Sequence, residues 1–336
     1  MYRRRVKKPP PQVFPDTLEE LGFTINNEGL LIDESDATLR VMNKRLEDEF
    51  DLIKLKVPLD IKESDNTSPQ ANIMLSSDAK ECKRLLVLIP GTMEPLGAWS
   101  RRLLCNRNVE LGSMFSVVKQ AREKDFGIVI HNPNTHWWVN GRPSVMVPTT
   151  KDYGLIPHLN SPEEHVDYVL RNIVQNSTSQ EIFFIAHKYG AHALMQALHN
   201  QFDAFKNRVS GIAVVDGTHT IDSFPEPDFR KWWSLNAVGY AQSEEVDKDK
   251  IEYKQNAGCN CVNAGTQEVD FTLVSVMPDI FRFFNARRGR DNKFENYKDK
   301  LQSPNEDDPT TIMVVFEDNN TPSTENEFDN VEYQSS

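Results

Sequence analysis

The stretch IFFIAHKYGAHALMQAL, residues 182–198, decides how the chain folds. IFFIA is a continuous apolar run of strand length and AHALMQAL is built from helix formers, so a strand must turn sharply into a helix across His187, Lys188, Tyr189 and Gly190. That layout is the one of a nucleophile elbow, Gly-x-Ser-x-Gly, in which small neighbours let a strained residue stand at the end of a central strand. Here the run reads Ala186-His187-Lys188-Tyr189-Gly190, and the corner residue, Lys188, has no hydroxyl. A lysine amine attacks only when neutral, which takes desolvation or a neighbouring cation. Packing, ion pairing with Asp216 or with a bound acid, and ligand binding are the other roles open to it.

Working outward, RLLVLI (84–89), FGIVIH (126–131), EIFFIA (181–186) and SGIAVVD (210–216) are apolar runs without alternation, as strands covered on both faces require. The expected fold is α/β, hydrolase-like, with a mostly parallel central sheet and helices on both faces. SPEEHVDYVLRNIV marks a helix over 162–175, with Ser161 as cap, Pro162 at the first position and Glu164 as capping-box partner. Residues 34–54 form a charged helix candidate, MPDIFRFFNARRG a late helix and TIMVVFE an edge strand. The chain then divides into a basic, proline-rich flexible arm (1–13), an N-terminal extension packing on the core (14–60), the hydrolase-like domain (61–317) with an exposed polar loop near 62–80, and an acidic disordered tail (318–336).

Composition narrows the function classes. A chain of 336 residues with 38% hydrophobic content builds a sizeable core without disulfides, and its 4 cysteines are too few for a disulfide scaffold. No apolar run reaches the length of a membrane helix, and no secretory signal is expected, since MYRRRVKKPPP runs into prolines. A formal charge of -12 opposes broad nucleic-acid affinity, so RNA contact is expected to be indirect. No cofactor and no metal site is expected, since no His-Glu-x-x-His helix or cysteine pair of zinc spacing occurs.

Several residues are candidates at the sheet's ligand-bearing end. Gly91 and Thr92, after the first strong strand, either form a tight turn that the structure requires or offer amides for an oxyanion pocket. His131, Asn132 and Asn134 follow the second strand, and His187 and Tyr189 flank the corner. Asp216, at the end of an apolar strand, is the position for the acid of a triad, or else a loop carboxylate. No histidine follows His219, so the late histidine of Ser, Asp, His order is absent. Trp137 and Trp138 serve either as a partner-binding anchor or as a lid on the core. Arg230, Lys231, Trp232 and Trp233 have the chemistry to stack single-stranded bases, but in an acidic chain protein packing or protein contact is the expected role.

Taken as an ordered series, FPDTLEELGFTINNEGLL, the LIPG turn, IHNPN, FFIAHKYGAHAL and NAGTQEVDFT resemble the second Argonaute-binding protein domain family, including its animal cotranscriptional-regulator branch, over about residues 14–290. The resemblance implies an α/β-hydrolase-like fold, nuclear or cytoplasmic location, and Argonaute-associated, chromatin or splicing partners. It also implies a serine where this chain has Lys188 and a histidine where it has Val269; Asp216 matches the acid. Lys188, Asp216 and Val269 therefore read as degenerate catalytic positions, and a noncatalytic interaction protein is expected. The alternatives are a hydrolase of an ester or acylated small molecule, working through Lys188 or a relocated serine such as Ser100, and a single-stranded RNA-binding protein.

Overall fold

The computed structural model describes residues 23–25, 31–62, 64–149, 151–242 and 251–289. The N-terminal arm, the acidic tail and the TIMVVFE strand expected from the sequence lie outside the described residues.

Nine strands form one sheet: β1 (Leu52–Val57), β2 (Ala71–Ser76), β3 (Arg84–Ile89), β4 (Phe126–Ile130), β5 (Glu181–His187), β6 (Val209–Val215), β7 (Ala237–Ala241), β8 (Ile251–Lys254) and β9 (Cys259–Asn263). Their order is β8-β9-β7-β6-β5-β3-β4-β2-β1. β4, β3, β5, β6, β7 and β9 run parallel to one another, while β1, β2 and β8 are antiparallel to their neighbours. The α/β fold with a mostly parallel sheet is the one the apolar runs require.

β5 shows why these strands lack alternation. Ile182, Phe184 and Ala186 pack into one core with Ala191 and Leu194, while Phe183 and Ile185 pack into a second core with Val118, Ile280 and Phe284. Side chains alternate between faces, and both faces are dry. The first core lies under α3 (Pro162–Val169), α4 (Tyr189–Asn200) and α5 (Pro227–Asn236), the second under α1 (Glu34–Phe50), α2 (Phe115–Arg122) and α6 (Thr272–Arg287). At the start of α3 the Ser161 hydroxyl accepts from the Glu164 amide at 3.2 Å, and Pro162 sits in the first turn. Glu164 itself accepts from the Asn160 side chain rather than closing the capping box. The helix ends in a π turn, Leu170–Val174.

Two readings of the sequence need correction. The helix expected over 34–54 stops at Phe50, and Leu52–Val57 is the edge strand β1, so the main domain begins inside the expected extension. Within the expected loop near 62–80, Ala71–Ser76 is β2, buried between β1 and β4. Lysines in one strand and a polar surround for the other hid both.

β3 continues to β4 on one side, whereas β5 lies on its other side. The chain thus leaves the C-terminal ends of β3 and β5 in opposite directions and opens the crevice where ligands of such sheets sit. Gly190 lets α4 begin there: a Cβ on it would lie 2.5 Å from the Pro90 carbonyl oxygen and 2.9 Å from that of Ile89. Gly190→Ala is expected to cost about 2 kcal/mol or more in urea unfolding, because backbone cannot yield as a side chain does. Gly154→Ala, with nothing within 4 Å, is the control and should stay within about 0.5 kcal/mol of wild type.

Candidate functional site

The corner residue stands in a conformation few side chains adopt. Lys188 has φ 50° and ψ -120°, a strained geometry for a residue with a Cβ. Three backbone bonds hold it: its amide donates to the Val215 carbonyl at 2.9 Å, and its carbonyl accepts from Ala191 at 3.1 Å and Thr218 at 3.3 Å. On the neighbouring strand Asp216 also has positive φ, 47°, and its amide donates to the Tyr240 carbonyl at 2.8 Å. The loop after β3 passes directly against the lysine, since a Cβ on Gly91 would lie 3.2 Å from Lys188 Cβ. The elbow foreseen from 182–198 is present in full as backbone.

Its charges are arranged differently from the expectation. Lys188 Nζ lies 3.7 Å from Asp270 Oδ1, so its ion-pair partner is Asp270 and not Asp216. Arg102 Nε approaches the other oxygen of Asp270 at 3.3 Å. Val269, the position matched to a late histidine, is exposed, and the next residue is the one that faces the corner. Asp216 Oδ1 accepts from the Gln242 amide at 3.0 Å, while Oδ2 is buried without a hydrogen-bond partner. Burial raises the Asp216 carboxyl above its ordinary pKa, against the Gln242 amide and the Lys188 charge, which favour ionisation.

A further carboxyl, not foreseen, belongs to the same cluster. Burial pushes Glu94 up to about 7, although the Arg101 amide bonds it and Lys188 lies near. Its position in the loop after β3 was legible, but its burial depends on how that loop folds back. Lys188 is thus set among Glu94, Asp216 and Asp270, the reverse of the cationic surroundings that activate a nucleophilic lysine. Ser100 is buried and its hydroxyl accepts from the Leu103 amide at 3.2 Å, capping the helix Arg101–Asn106. His187 is sealed below the corner, edge-on to Trp99 with ring centroids 6.1 Å apart, and burial pushes it down to about 3.

The other candidate pocket residues hold the loops, apart from Thr92, which is exposed. Asn134 Nδ2 donates to the carbonyls of Gly91 and Glu94, each at 2.8 Å, and Asn132 Nδ2 donates to the Asn72 carbonyl at 2.9 Å. His131 is fully buried with its ring centroid 5.6 Å from that of His165, whose Nε2 accepts from the Asn132 amide at 3.1 Å. Tyr189 turns away from the corner and donates to Glu163 on α3, a bond that pushes its phenol to about 12. Glu163 is also on the wall of an acidic surface cleft of about 800 Å³, with Asp60, Glu164, Asp167, His158 and Tyr168.

The aromatic candidates divide. Trp137 and Trp138 lie half-buried in a small antiparallel sheet of Trp137–Val139, Arg142–Ser144 and Tyr153–Leu155. Trp138 packs on the first core, and Trp137 meets Tyr153 edge-on at 5.7 Å. Trp232 and Trp233 are core residues, their indole N–H groups donating to the carbonyls of Lys206 at 3.0 Å and Ala257 at 3.1 Å. Arg230 Nε donates to the Phe224 carbonyl at 2.7 Å, and Lys231 is half-buried. A base-stacking platform at 230–233 is therefore ruled out: burying both indoles leaves no face for a base. Among the described residues, no group of three or more His, Cys, Asp or Glu is disposed to hold a metal ion, and no helix is long and apolar enough to cross a membrane.

The profile of the Arb2 domain matches residues 32–246, more than half of the chain, and the chain belongs to that family. It is 26% identical over 346 residues to a chicken protein named cotranscriptional regulator ARB2A homolog, covering 83% of this chain and 82% of the relative. The human cotranscriptional regulator ARB2A is 25% identical over 345 residues with the same coverage. Among solved structures, the histone deacetylase Clr3 aligns with a TM-score of 0.48 and 17% identity over 78% of this chain and 40% of that one.

The buried imidazoles set the pH response. Burial lowers His131, His136, His165, His187 and His219, with His165 at about 3 and His219 at about 4. Once unfolded, these rings take up protons below about pH 6.5; folded, they do so only at lower pH, so stability falls as pH drops through 6.5. Glu94 and Asp216 act with the opposite sign: a raised carboxyl contributes stability below its ordinary value that is lost as pH rises through the folded value, about 7 for Glu94. The five histidines outnumber the two carboxyls, and urea unfolding should show a net loss of about 1 kcal/mol or more per pH unit between about pH 6 and 5. Lys188→Ala is expected to cost about 1 kcal/mol or less in the same assay at pH 7.5, because the pair is part-exposed and Asp270 keeps Arg102.

Proposed function

We propose that this member of the Arb2 domain family works without turnover, as a hydrolase-shaped interaction body in cotranscriptional gene regulation. Its partners are chromatin, splicing or Argonaute-associated proteins, it acts in the nucleus, and it meets RNA through those proteins. The observation that carries the reading is the ion pair of Lys188 with Asp270 at the elbow corner, where a hydrolase needs a nucleophilic oxygen and a base. A carboxylate beside the amine opposes attack, and the only buried imidazole adjoining the corner in sequence, His187, faces Trp99. The relatives' names support the cotranscriptional part, and the net charge of -12 supports indirect rather than direct contact with RNA.

Two measurements test this. The purified chain should hydrolyse p-nitrophenyl acetate and butyrate no faster than its heat-denatured control; a wild-type rate that Lys188→Ala abolishes overturns the noncatalytic reading. Tagged chain purified from nuclear extract should recover chromatin, splicing or Argonaute components, and recovery of none of them under conditions that preserve such complexes overturns the regulatory one.

A further inference from the structure

Between β4 and α3 the chain builds the small sheet of Trp137–Val139, Arg142–Ser144 and Tyr153–Leu155, and its two faces differ. Trp138 packs down on the first core, so the alternate residues Trp137 and Val139 face outward. The register sets Leu155 beside Trp137 and Tyr153 beside Val139, on that same outward face. Tyr153 is 53% exposed and Leu155 44%, and the Tyr153 ring meets Trp137 edge-on. Two aromatic rings on neighbouring strands, with aliphatic side chains beside them, make a ridged apolar face of the kind on which proline-rich segments dock.

The acidic cleft begins where this face ends. His158, just past Leu155 in the chain, stands on its wall with Asp60, Glu163, Glu164 and Asp167. Among the described residues that line it, Arg171 is the one Arg or Lys, and Asp167 already holds it at 3.0 Å. The His158 and Tyr168 rings stack there with centroids 5.6 Å apart, a flat surface on which a guanidinium can lie. An aromatic face running into an acidic cleft fits a segment that is proline-rich at one end and basic at the other.

The chain carries that segment itself: Arg3, Arg4, Arg5, Lys7 and Lys8 are followed at once by Pro9, Pro10 and Pro11. From Pro11 to Phe23, where the described residues begin, an extended chain covers about 40 Å, against a radius of gyration of about 18 Å for a domain of this size, so both surfaces lie within reach. A proline run is extended before it binds and loses little freedom on docking. Tethering adds an effective concentration on the order of millimolar, enough for contacts that are individually weak.

We propose that the chain's own arm, residues 3–11, docks on this surface within the same copy, with its prolines on the Trp137–Tyr153 face and its basic residues in the cleft. Docked in this way it closes the surface to basic, proline-rich segments of other proteins, and its ionic half makes the closure salt-sensitive.

Fluorescence anisotropy with a labelled peptide of residues 1–14 tests this on the full chain. Wild type, its surface taken, should bind the peptide at least about tenfold more weakly than the full chain carrying Arg3→Gln, Arg4→Gln, Arg5→Gln, Lys7→Gln and Lys8→Gln. In that vacated background Asp60→Lys with Glu164→Lys, and Tyr153→Ala separately, should each weaken the peptide by about tenfold while leaving the melting curve unchanged, since all three side chains are exposed. Carbodiimide cross-linking of a mixture of light and isotope-labelled wild type should join Lys7 or Lys8 to Asp60, Glu163 or Glu164 within one copy. Equal binding to wild type and to the vacated chain leaves the surface to other proteins and overturns the proposal. So do a vacated chain that binds no peptide, binding that neither surface change weakens, and cross-links that are absent or join light to labelled copies.

Discussion

A side chain that is absent governs this molecule. The carbonyl oxygens of Ile89 and Pro90, at the end of β3, occupy the space where a Cβ on Gly190 would stand. That contact lets α4 start flush against the central strands, and it fixes the turn of Lys188 between β5 and the helix. Since β3 and β5 flank the point where the chain reverses its order of travel across the sheet, the same contact sets the geometry of the crevice. The loop carrying Gly91 and Glu94, clamped by Asn134, is then pressed against the lysine stem.

Within that frame the charges answer to burial. Three carboxyls surround one lysine, and each is handled differently. Asp270 takes both Lys188 and Arg102. Asp216 has one oxygen bonded and one buried without a partner, and its carboxyl is pushed up. Glu94 is pushed up by burial to about 7. A cluster in which protons rather than counter-ions balance part of the charge can be crowded without the full Coulomb cost of three anions.

Four of the six parallel strands, β3 to β6, were legible because residues buried on both faces leave continuous apolar runs, as at 84–89 and 181–187. The elbow was legible because its small residues and its corner are contiguous. β1 and β2 were not, since LIKLKV and ANIMLS carry lysines or sit among polar residues. AVGYA and CNCVN, β7 and β9, are short and small-sided and give no strand signal. Which acid faces Lys188 was beyond reach for another reason: Val269 and Asp270 are adjacent in a tight turn, and a shift of one residue in the loop after β9 decides which points inward. The basic neighbours of Trp232 and Trp233 left base stacking and partner contact open beside packing, and the helix settles on packing by burying both indoles.

The positive φ of Lys188 separates two properties of the corner. The strain belongs to the backbone and is balanced by the bonds to Val215, Ala191 and Thr218, none of which involves the amine. The ion pair with Asp270 hangs from the end of a flexible four-carbon stem. Exchanging one counter-charge for another therefore leaves the turn, the helix and the sheet where they are: the corner is a rigid mount carrying a swivelling cation.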